Sequence, residues 1–95
     1  MSSMKDFVGK NLFIRTVTHY YTGSLEKVTD DGFLVLTEAA WIPVTGRFGT
    51  MMAHGNDNIN EVEPYPATLP VWVNMASIVD CNEWKFPLPR DQKPS

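Results

Sequence analysis

The chain has 95 residues, 43% hydrophobic and 12% aromatic, which is enough apolar content for one folded domain and too much for a disordered chain. A net charge of −3 and an isoelectric point near 5.2 exclude an overall basic footprint, so any contact with nucleic acid has to come from a local site. One cysteine, Cys81, permits no internal disulfide, no apolar run approaches the ~20 residues that span a bilayer, and the start from Met1 to Asp6 lacks an apolar leader, so a soluble cytoplasmic domain is expected.

In chain order, Ser3 to Val8 reads as a short helix, with Met4, Phe7 and Val8 sharing one face and Gly9 ending it. A first strand is expected from Asn11 to Val17, followed by a turn near Thr18 and His19. A second strand runs from Tyr20 to Thr29 and contains Gly23. A glycine inside a strand marks a sharp bend or a close approach, and a bent long strand lets a small sheet close on itself. Asp30-Asp31-Gly32 is a tight-turn signal leading into a third strand, Phe33 to Glu38.

From Ala39 to Ala67 no strand is expected, and Pro43, Pro64 and Pro66 punctuate the stretch. A short helix from Thr45 to His54 would align Phe48, Met51 and Met52, against a cost of roughly 1 kcal/mol each for Gly46 and Gly49. A fourth strand returns over Leu69 to Met75, where Val71, Trp72 and Val73 predict cover on both faces. A fifth, short strand covers Ser77 to Cys81, and Trp84 and Phe86 anchor the chain beyond it. The tail over 87–95 is extended and poor in core residues, which predicts mobility. The domain organisation is therefore one domain over 1–86, with 43–67 inserted between the third and fourth strands.

A short helix, Gly23-x-Leu25, and Asp31-x-Phe33 leading into Leu34-Val-Leu36 together resemble the first motif of the Sm-like family, which includes Sm and LSm proteins and Hfq. Val71 to Val79 looks like a degenerate form of the family's second motif. The match covers 4–42 and 69–82 and is similar to small Sm-like proteins of bacterial viruses, which would place the chain in a host cytoplasm. The resemblance implies a mainly β fold: a short N-terminal helix and a five-stranded, strongly bent open barrel of SH3-like shape. It also implies a homo-oligomeric ring of five to eight subunits, in which the fourth strand of one subunit pairs with the fifth of the next. Val71, Val73, Ile78 and Val79 would then line the subunit interface, because apolar unpaired edges favour closure.

By the same resemblance, Asp31, Phe33, Trp72 and Asn74 are the RNA-binding candidates. Phe33 would stack a base, and Asp31 or Asn74 would hydrogen-bond its edge. The chain departs from the family at Val73 and Asn74, where a lysine and a histidine stand in Hfq, and it lacks the arginine-glycine pair of the Sm form. These departures remove phosphate attraction. Aromatic strand residues also bury large areas whatever the function, and Asp-Asp-Gly is more often a plain hairpin turn than a binding site.

His19, His54 and Cys81 lack metal-site spacing, and no paired carboxylate, histidine or cysteine supports catalysis, so neither an enzyme nor a cofactor is expected. Cys81 reads as a small buried thiol, and Arg15 as a solvated surface residue. Lys85, Arg90 and Lys93 form a modest basic arm. Two functions are compatible with these features: a ring that binds short single-stranded RNA weakly near its pore, or a structural, protein-binding ring that uses the 43–67 insertion. The second reading predicts that deleting 45–63 abolishes partner capture and leaves the ring intact.

Overall fold

The computed structural model describes residues 4–44, 52, 53, 55 and 61–91. It is mainly β: one antiparallel six-stranded open sheet, with short 3-10 turns at Met4–Phe7 and Met75–Ser77. The strands are β1 (Asn11–Thr16), β2 (Tyr20–Val28), β3 (Phe33–Val44), β4 (Glu61–Pro64), β5 (Val71–Asn74) and β6 (Ile78–Glu83). They lie in the order β4-β3-β2-β1-β6, with β5 pairing the first part of β3.

The first turn is 3-10 rather than α-helical, and Ser3 lies outside the described residues. At three residues per turn Met4 and Phe7 coincide on one face and both pack on the core. Val8, expected on that face, is rotated into solvent at 46% exposure. Gly9 follows with φ 91, as the sequence anticipates, and its N–H donates to the Leu25 carbonyl at 2.8 Å.

The bend forms where β2 meets β3. Thr22 pairs with Ala40 and Ser24 with Thr37, so Gly23 opposes both Glu38 and Ala39. Two residues against one is a β-bulge, and Glu38 takes it up with φ 50. Beyond the bulge β3 continues to Val44, six residues further than expected, and its outer edge pairs with β4. The expectation of no strand over 39–67 is thereby corrected. Pro43 and Pro64 sit where the β3–β4 register is irregular or ends, which tolerates their missing N–H groups.

Two clusters fill opposite faces of the sheet. Leu12, Ile14, Leu25, Leu34, Leu36, Ala39 and Val73 form the first. Phe13, Ala40, Ile42, Val62 and Trp84 form the second, with Met52, Phe86 and Leu88 packed against it. Phe13 is fully buried, with the Tyr20 ring 5.6 Å away and the Trp84 ring 5.7 Å away. Burying such a side chain contributes about 1.5–3 kcal/mol. Trp84 thus anchors the chain as expected, and its indole N–H donates to the Pro87 carbonyl at 3.2 Å.

The segment after Pro87 is less bare of contacts than its composition suggests. Leu88 joins the second cluster and Pro89 is buried. The Arg90 guanidinium donates to the carbonyls of Ala39 and Tyr65, each at 2.5 Å, so residues 87–91 lie packed against the bulge. The expected helix over 45–54 falls almost wholly outside the described residues, as do Phe48, Met51, His54 and the tail from 92.

Candidate nucleic-acid interface

The β2–β3 turn is built by Thr29, whose hydroxyl donates to Asp31 Oδ1 at 2.6 Å and accepts from the Phe33 N–H at 2.9 Å. Gly32 completes it with φ 94, the left-handed step that ends the turn in hairpins of this length. The Gly32 carbonyl then accepts from the Met75 N–H at 2.9 Å. That bond, with the Phe33–Asn74 register pair, joins the two sequence motifs at one end of the sheet. The four predicted residues are therefore neighbours, although some 40 positions separate the two pairs.

Their chemistry differs from what the sequence suggests. Trp72 is 52% exposed, which corrects the expectation that Val71–Val73 is covered on both faces; Val73 is buried in the first cluster and Val71 packs against it. Phe33 is half-buried and meets the Trp72 ring at 6.0 Å and 60°, edge to face. Asp31 is engaged by Thr29, and the Asn74 side-chain oxygen accepts from the Ala76 N–H at 2.9 Å, capping the second 3-10 turn. Both therefore have structural work in the turns.

Lys27 belongs to the same surface and was missed by sequence reasoning. Its Nζ lies 5.7 Å from the centre of the Trp72 ring, inside the range of a cation–π contact. Lys27 pairs with Val35, which pairs with Trp72, so the three form one row across β2, β3 and β5 on the face opposite the first cluster. A second register shift, between Leu25 and Lys27, sets this face. Simple alternation along β2 carries no signal of it.

Of the expected interface residues, Val79 is 58% exposed, and Val71 and Ile78 are half-buried against the first cluster. Val73 is buried at 4%, so its side chain belongs to the core and only its backbone lies at the strand edge. Among the described residues β5 pairs only with β3 and β6 only with β1, leaving one edge of each strand unpaired.

Elsewhere, Arg15 is not the solvated residue expected. It faces Asp80 across β1 and β6, its Nε donating to Oδ1 at 3.2 Å and a terminal nitrogen to Oδ2. With Val17, His19, Tyr20, Pro43 and Val79 it lines an open cleft of about 570 Å³. His19 bonds the Thr18 hydroxyl at 2.7 Å and the Tyr21 hydroxyl at 2.6 Å, with Trp41 edge-on. Burial raises the Tyr21 phenol above its ordinary value, and the neighbouring Tyr65 adds to this by charge and hydrogen bonding. Cys81 is half-buried rather than buried; its thiol donates to Met4 Sδ at 3.8 Å. Burial and then the Asp80 charge raise its pKa.

Among the described residues no group of three or more His, Cys, Asp or Glu side chains is placed to hold a metal ion, and no helix is long and apolar enough to cross a membrane. Comparison with known proteins returned no match to a family model, to a curated protein or to a solved structure.

Proposed function

We propose that this is an Sm-like protein that assembles into a closed homo-oligomeric ring and binds short segments of single-stranded RNA. The observation that carries the reading is the junction of the two motif segments: the Asp31–Phe33 turn bonded to the Trp72–Asn74 strand end, with an aromatic ring presented to solvent. Exposed aromatic rings beside a turn are the platform on which unpaired bases stack.

Ring closure is supported by the unpaired edges of β5 and β6, joined to each other through the second 3-10 turn. Pairing β5 of one copy with β6 of the next satisfies both of these edges. Val79 supplies exposed apolar surface at that seam, with Val71 and Ile78 beneath it.

Light scattering on a sizing column, with and without a uridine-rich oligomer, tests both halves of the proposal. A discrete multimer of five to eight subunits that shifts with RNA is the expected result. A monomer removes the shared pore and the reading with it.

The alternative of a protein-binding ring is favoured by the acidic β4, where Glu61 and Glu63 flank the outer edge of β3. Its test cannot be deletion of 45–63, because Val62 is buried in the second cluster and β4 pairs with β3. Charge reversal at Glu61 is the cleaner probe, with loss of a co-purifying partner as the expected outcome.

A further inference from the structure

We infer that Trp72 and Lys27 form a sequence-tolerant nucleotide site, Trp72 stacking one base of a single strand and Lys27 taking the adjoining phosphate, with RNA and DNA bound alike. The inference rests on the single-strand binding proposed above and names its ligand class.

Three observations carry it. The Trp72 indole is half open to solvent, and Phe33 braces it edge-on, so the ring is presented in a fixed orientation. Lys27 is exposed, and among the described residues no carboxylate lies within ion-pair distance of its ammonium. At 5.7 Å it sits at the outer limit of attraction to the ring, so it is free to turn toward a phosphate when a base arrives. The site thus regains locally the cation that the overall charge of −3 denies the chain.

Tolerance of sequence comes from the surroundings of the pair. Of the two side chains that would read a base edge, Asp31 is held by Thr29 and Asn74 by the Ala76 N–H, each through Oδ1, which ties both to their turns. Stacking and charge remain, and neither distinguishes one base from another, because every base has a π-face and every nucleotide a phosphate. Nor does either contact need a 2′-hydroxyl, the group by which proteins tell RNA from DNA.

The test is fluorescence anisotropy with labelled oligo-uridine, oligo-adenine and oligo-deoxythymidine of about ten nucleotides, at low and near-physiological salt. The native chain is expected to bind all three within about threefold of one another, and Trp72→Ala to weaken all three by about tenfold or more. Lys27→Gln is expected to weaken binding at low salt and to flatten the logarithmic salt slope by about 0.7 for each protomer the strand spans. Lys27→Arg should restore both. Lys85→Gln, off this surface, serves as the control for general charge.

Binding of the oligomers with native affinity and slope by Lys27→Gln and Trp72→Ala overturns the inference and leaves the proposed function standing. So does a preference above about tenfold for oligo-uridine, since stacking and charge do not produce one. Absence of binding by any oligomer at low salt overturns both. Circular dichroism melts of each variant confirm that a loss is not unfolding.

Discussion

Gly23 and Leu36 approach so closely across β2 and β3 that a Cβ on Gly23 would stand 3.0 Å from the Leu36 Cβ and 3.4 Å from the Ala39 Cα. Neither neighbour is the free end of a flexible side chain. Leu36 is fully buried in the first cluster, and Ala39 sits in the bulge that bends the sheet. Gly23→Ala is therefore expected to destabilise the fold by about 1–3 kcal/mol, the usual cost of overpacking. Urea unfolding followed by tryptophan fluorescence measures it; an unchanged midpoint would mean the bend does not depend on this approach.

Next to it, Thr22 is fully buried, and its hydroxyl has no hydrogen-bond partner among the described residues. A polar atom left unsatisfied in this way costs about 1–3 kcal/mol. Thr22→Val keeps the branched shape that suits a strand and removes the orphaned group. Its melting temperature should rise, with unfolding free energy gaining about 1 kcal/mol. A fall would show that the hydroxyl is satisfied after all.

Arg90 clips the C-terminal segment to the bulge through the carbonyls of Ala39 and Tyr65. The Tyr65 N–H also donates to the Ala39 carbonyl at 2.9 Å, so Arg90→Ala strips the Tyr65 carbonyl more completely than that of Ala39. A loss of about 1–2 kcal/mol is expected, as for a charge-assisted bond to a half-buried acceptor. Limited proteolysis should then cut near Lys85 sooner than in the native chain. Equal cutting rates would mean that Leu88 and Pro89 hold the segment without the clip.

Alkaline pH should weaken the fold through two groups. Tyr21 is raised above its ordinary 10.0 and Cys81 above its ordinary 9.0, each chiefly by burial. A group with a raised folded pKa binds its proton more tightly when folded. Its contribution is therefore complete below the unfolded pKa and is lost as pH climbs through the folded one. Unfolding midpoints should stay level to about pH 8 and fall from about pH 9 upward. Cys81→Ser would remove the earlier part of that decline, and a profile unchanged by it would assign the whole effect to Tyr21. For the same reason Cys81 should react with a thiol reagent more slowly than free cysteine at pH 8.

The fold was largely legible wherever local rules are strong. Gly9, the Asp30-Asp31-Gly32 turn and the starts of β2 and β3 lie where the sequence places them, because left-handed steps and tight turns leave few residue choices. The second half of β3 and all of β4 were not legible. Their strand character depends on pairing with each other, and prolines at both segments argued against a strand locally. The face of Lys27 was hidden for a related reason: the bulge in β2 between Leu25 and Lys27 breaks the period of two on which sequence reading relies.

Composition and turn chemistry alone determined that this chain is mainly β, with the second strand interrupted at Gly23. The four candidate residues could be named from their types and motif positions. Tertiary structure alone decided that they meet, through the Gly32–Met75 bond, and that Asp31 and Asn74 are occupied there. It also decided that Lys27 stands over Trp72, that Val73 is core, and that 87–91 is packed. The division has one physical cause. Turns and strand propensity are set by residues a few positions apart, whereas burial, pairing and charge placement are set by partners that only the folded chain brings within reach.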